Sequence, residues 1–187
     1  MSILASIPVP NSLHGTRALA WWPTLLVMMT ASVTDLRSRR IPNWLVFPFM
    51  ITGLLLSGWA GGWAGLAQSL EGFALGAAIY GMFNLMGGMG MGDVKLCAAA
   101  GCWIGPGQQF SAMLFTALVG GLMAFGWALY RGFLGQLFTG SSELLFGFGK
   151  RGITPHPELT LSNPGARKMP YAPAIAIGTL LSFFAVR

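Results

Sequence analysis

Residues 72–104 read GFALGAAIYGMFNLMGGMGMGDVKLCAAAGCWI. Two apolar runs meet there at a glycine-dense junction, and the only charges in the stretch are Asp93 and Lys95. Apolar runs of this kind recur from Ala18 to the C-terminus. The 187 residues are 54% hydrophobic and 9% charged, with a mean hydropathy of +0.64, whereas about a quarter of a typical soluble domain is charged. This composition predicts an all-α integral membrane protein, with a single membrane-embedded domain over residues 1–187.

Six spans can be drawn, at about 18–36, 44–60, 66–86, 89–105, 108–130 and 170–186, each near the ~17–25 residues that cross a bilayer. The fourth must include GMGMGD to be long enough, and Pro106 and Gly107 break it from the fifth. Residues 1–17 carry no basic n-region, and the first apolar run shows no small-residue cleavage site, so it is kept as a span. The connection 131–169 starts apolar and glycine-broken, expected along the inner membrane surface, and ends as a polar, proline-bearing loop.

The formal charge of +6 is read here as topology, since Lys and Arg collect in cytoplasmic loops. No nucleic-acid partner is expected. Arg37, Arg39, Arg40, Arg131, Lys150, Arg151, Arg167 and Lys168 fall on one side, with Lys95 near it, which predicts both termini outside. Trp21, Trp22, Trp59, Trp63 and Trp103 would then line the outer interface, and Trp44, Trp127, Tyr130 and Tyr171 the inner one. Cys97 and Cys102 form no CxxC pair and read as small buried hydrophobes.

Five acidic residues are present, and the two aspartates, Asp35 and Asp93, both fall at predicted inner ends of spans. A carboxylate at membrane depth costs a few kcal/mol. Two carboxylates brought close cannot both ionise easily, so one keeps a proton near neutral pH. One can act as general base towards a water and the other as general acid, with no metal or other cofactor. Gly87, Gly88, Gly90 and Gly92 would let helix one or an unwound peptide approach Asp93. Asp93 stands near the N-terminal end of its helix and Asp35 near a C-terminal end, so macrodipoles point to Asp35 as holder of the shared proton.

Each feature also has an ordinary reading. An Asp beside three Arg is often an interfacial charge, a glycine run is often helix packing, and Lys95 is expected to snorkel. GMGMG does not spell the dinucleotide fingerprint G-x-G-x-x-G. His14 and His156 fall outside the spans, against a zinc or serine–histidine intramembrane protease. An ion- or proton-coupled transporter is the main rival, with a pilus or secretion assembly subunit beside it. Against the transporter, both aspartates lie near one face and no half-to-half repeat is visible.

The sequence resembles the prepilin peptidase (type IV leader peptidase) family of intramembrane aspartyl proteases. TDLRSRRIPNWL matches the family's first motif through Asp35, Ile41, Pro42 and Asn43. Gly90–Met91–Gly92–Asp93, with Val94 and Lys95 following, matches its Gly-x-Gly-Asp motif, and PYAPAIAIG from Pro170, including Pro173, resembles the start of its last span. Presenilin-like proteases share Gly-x-Gly-Asp but place a Tyr-Asp pair where this chain has Thr34–Asp35.

The resemblance implies that Asp35 and Asp93 are catalytic. Gly90, Gly92, Lys95, Ile41, Pro42, Asn43, Pro170 and Pro173 would bind substrate or shape the site. It implies prepilin or pseudopilin substrates, cut at the cytoplasmic face of a bacterial inner membrane, in type IV or Flp pilus assembly or in protein secretion. Many members add an N-terminal domain with CxxC pairs and methylate the new N-terminus. Those pairs are absent from this sequence, which resembles the short Flp (tight-adherence) type, so peptidase without methyltransferase activity is expected.

Overall fold

The computed structural model describes residues 14–131 and 170–185. The expected surface segment and loop between 132 and 169 therefore lie outside the described residues. Among the described residues four helical elements follow in order: α1, His14–Ser38; α2, Asn43–Leu85; α3, Met91–Arg131; and α4, Ala172–Ala185. There is no strand among the described residues.

Burial along α1 falls on Ala20, Thr24, Met28, Ala31 and Asp35, at intervals of three and four. That is one stripe of a helix. The rest of its surface is apolar too, with Trp22, Leu26, Met29, Val33 and Leu36 exposed. The same inversion holds throughout. Thr24, Ser69, Gln108, Gln109, Thr116, Thr179 and Ser182 are buried, while large apolar side chains on every helix face outwards. Water would penalise such a surface heavily, whereas lipid tails are its natural solvent. Asn43–Leu85 and Met91–Tyr130 are each long and apolar enough to cross a membrane.

Both long elements fold back on themselves. Gly62 leaves helical geometry at φ 57° and ψ −143°. Beyond it, a Cβ on Gly58 would touch Leu66 at 3.8 Å, although residues eight apart in a straight helix stand ~12 Å apart. Gly105 does the same in α3 at φ 71° and ψ 174°. Gln109 there returns to donate to the Cys97 carbonyl at 3.1 Å, a separation that would be ~18 Å in a straight helix. The break lies at Gly105, one residue before the expected Pro106–Gly107, and Pro106 then opens the next segment without needing an N–H. These two turns fall between the second and third, and the fourth and fifth, of the spans drawn from sequence.

The hairpins pack on each other closely: Gly72 and Gly101 meet backbone to backbone, where a Cβ on either would collide with the other's carbonyl. Ser69 seals the contact, its hydroxyl donating to the Cys102 carbonyl at 2.6 Å. Helix α4 runs antiparallel to α1. Trp21 on α1 meets Phe183 of α4 edge-on, at 4.8 Å between ring centroids, while Asp35 at the other end meets Ala172.

Aromatic positions divide between the surface and the core. Trp59 and Trp63, beside the first turn, are 85% and 87% exposed. Trp103, expected in the same outer belt, instead turns inwards: it stacks on Phe49 at 5.2 Å and donates to the Phe49 carbonyl at 2.6 Å. Tyr171, expected in the inner belt, is half-buried and packs against the core.

Candidate active site

One end of the bundle gathers the last turn of α1 and the first turns of α2, α3 and α4. Asp35 closes the buried stripe of α1 and is 7% exposed. Its backbone carbonyl accepts the Arg39 N–H at 2.8 Å, and its Oδ2 accepts the Ala172 N–H at 3.1 Å. Arg37, Arg39 and Arg40 stand exposed beside it.

Asp93 lies in the first turn of α3 and is half-buried. The Gly90 carbonyl accepts the N–H groups of Asp93 at 3.1 Å and Val94 at 3.3 Å, so the residue that starts the helix also aims Asp93. A Cβ on Gly90 would stand 3.1 Å from Asp93 Oδ2, crowding the carboxylate. Asp35 and Asp93 lie within reach of each other's charge.

Helix polarity at this end has one more contributor than the sequence expectation included. Asp35 does sit in the last turn of α1, but it also stands against the first N–H of α4. Asp93 stands in the first turn of α3. Both carboxylates thus face a helix N-terminus, and the polarity of α1 alone does not distinguish them. The last span is drawn from this same face, but the contact of its first amide with Asp35 is not legible from the sequence.

The remaining candidates surround this pair. Pro42 is extended, at φ −72° and ψ 134°, and caps α2 by accepting from Leu45 at 3.1 Å and Val46 at 3.4 Å. Ile41 packs over Gly92, where a Cβ would come within 3.3 Å of the Ile41 Cβ. Lys95 Nζ donates to Asn43 Oδ1 at 3.3 Å and lies 5.6 Å from the Phe47 ring centroid. It therefore ties α3 to the start of α2 as well as reaching outwards. Pro170 and Pro173 flank the Tyr171–Ala172 step that meets Asp35, and both are half-buried.

Near the pair lies a set of polar groups that the sequence reading did not assign to the site. Tyr171 is within electrostatic reach of Asp93 and Cys97. Tyr80 lies beside Cys97 and Thr116, and Gln109 Nε2 donates to Cys97 Sγ at 3.0 Å. Gln109 inside an apolar run was the available signal, since a buried amide needs partners. The Ala172 N–H left no signal, because every residue but proline has one.

A family model described as the type IV leader peptidase family matches residues 22–125, an interval that contains both aspartates. A prepilin leader peptidase/N-methyltransferase of Aeromonas hydrophila is 32% identical over 139 residues, covering 70% of this chain and 48% of that protein. A protein of the same description from Bacillus subtilis (strain 168) is 29% identical over 160 residues, covering 84% and 52%. The chain thus spans about half the length of the curated relatives it matches. No solved structure matches it.

Proposed function

Because this chain belongs to the type IV leader peptidase family, we propose that it is an intramembrane aspartic endopeptidase. Its substrates in this reading are Flp-type prepilins or related pseudopilins, from which it removes a short basic leader at the cytoplasmic face of the inner membrane. The protein crosses that membrane six times with both termini outside, and Arg37, Arg39 and Arg40 mark the inner end. The observation that carries the reading is that Asp35 and Asp93, two carboxylates from different helices at that end of the bundle, lie within reach of each other's charge.

Chemistry needs only the pair and one water. One carboxylate takes a proton from the water as its oxygen attacks the scissile carbonyl carbon. The other gives its proton to the carbonyl oxygen, which yields a neutral gem-diol. Collapse of the diol breaks the carbon–nitrogen bond, one proton goes to the leaving amine, and the pair returns to its singly protonated state. Gly90 and Gly92 keep the approach to Asp93 free of side chains, so an unwound backbone can reach it. Lys95 and Asn43, joined at 3.3 Å, hold Ile41 and Pro42 at the rim.

Co-expression of a Flp-type prepilin with wild type, Asp35→Ala or Asp93→Ala tests the proposal, with the leader followed by gel and N-terminal sequencing. Wild type should remove it, and each variant should lose about 10²-fold or more in rate. Cleavage persisting in both variants would overturn the reading. Methylation of the new N-terminus is expected to be absent from the product of this chain, which its mass reports.

A further inference from the structure

We propose that the backbone N–H of Ala172 is a positioning donor for the catalytic pair. It holds Oδ2 of Asp35 and leaves Oδ1 for the attacking water and Asp93. The inference rests on the peptidase reading above and adds to it a group that has no side chain to mutate away.

Helix α4 begins where its first amides have no partner of their own. The Tyr171 carbonyl already receives the N–H groups of Ala174 at 3.0 Å and Ile175 at 3.2 Å. Pro173 has no N–H. That leaves Ala172 as the one amide in the leading turn that the helix neither uses nor lacks. Ala172 is fully buried, where an unmet amide costs about 1–3 kcal/mol. The carboxylate of Asp35 meets it at 3.1 Å. A pair of adjacent free amides could bind both oxygens of a carboxylate; a single one, set off by a proline on its far side, selects one oxygen.

The contact also references the two aspartates to each other. Helix α1 packs on α4 more than on either α2 or α3. The Ala172 amide ties Asp35 to α4, and the residue before it, Tyr171, lies within electrostatic reach of Asp93. Two consecutive residues thus relate to the two carboxylates, one by a hydrogen bond and one by charge. A shift of the α4 terminus would separate the pair, a motion of the kind that costs catalysis steeply when reacting groups lose alignment.

Ala172→Pro tests this directly. Proline suits the first position of a helix, yet it deletes the N–H and puts a ring carbon where Oδ2 is held. Purified full-length chain in detergent, given a prepilin-type peptide, should lose about tenfold or more in kcat with KM unchanged. Ala172→Gly, which keeps the N–H, should recover most of that kcat. Wild-type kcat in Ala172→Pro, or a loss carried by KM alone, would overturn the proposal. A readout independent of that variant's folding is the Ala172 amide proton in isotope-labelled protein. It should sit downfield in wild type and in Asp93→Ala and move upfield in Asp35→Ala; an unchanged position in all three would also overturn it. Should Asp35→Ala and Asp93→Ala both still cleave, the peptidase mechanism fails, whatever the amide shows. Should both be dead while Ala172→Pro is active, only the positioning role fails.

Discussion

Arg39 follows the last turn of α1 with φ 51°, the left-handed region where glycine is usual and other residues are strained. Its N–H returns to the Asp35 carbonyl at 2.8 Å, so the strained residue closes the helix directly beneath the candidate carboxylate. Arg39→Gly should raise stability by about 1 kcal/mol, read as a higher midpoint of thermal unfolding in detergent. A lower midpoint would show that the exposed guanidinium contributes more than the backbone loses. At Gly92 the conflict is steric. A methyl there would stand 3.3 Å from the Ile41 Cβ. Gly92→Ala should therefore shift Ile41 and slow prepilin cleavage while leaving the protein folded, as comparison of rate with unfolding midpoint would reveal.

The long elements are decided at their turns. Gly105 adopts φ 71° and ψ 174°, a combination that side-chain-bearing residues avoid. Space is not the issue, because the nearest atom to a Cβ there is the Gln68 carbonyl oxygen at 4.0 Å. Gly105→Ala should cost about 1–3 kcal/mol through the backbone alone. Unfolding measurements would detect it, and an unchanged midpoint would mean the turn can relax. Gly62 presents the same demand at φ 57°, again with open space around it. The apolar runs on either side of these glycines would otherwise read as single helices too long for a bilayer of ~30 Å.

Across the whole molecule, the proposed six crossings place the Trp59–Trp63 turn outside and the α1–α2 junction inside. With Cys97 and Cys102 replaced by alanine, a cysteine at Trp59 should react with an impermeant reagent added outside intact cells. One at Ser38 should react only after the inner face is exposed. The reverse pattern would invert the topology, and labelling of both from outside would remove the second crossing. Packing of the two hairpins is a separate matter. Gly72→Leu would force apart the Gly72–Gly101 contact, and it should lower both stability and cleavage together, since α3 carries Asp93.

The sequence by itself determined the membrane class, a break between 60 and 66 and another at Pro106–Gly107, which the structure places at Gly62 and Gly105, and the candidacy of Asp35 and Asp93. Each depends on local composition: apolar runs need lipid, glycine and proline interrupt helices, and a carboxylate in such a run is rare enough to stand out. Resemblance of TDLRSRRIPNWL and GMGD to known motifs added the peptidase reading. Only the tertiary structure decided that α4 packs beside α1, that its first free amide meets Asp35, and that Tyr171 and Trp103 turn inwards. Those outcomes follow from long-range packing and from a backbone group common to nearly every residue, which no pattern of side chains along the chain records.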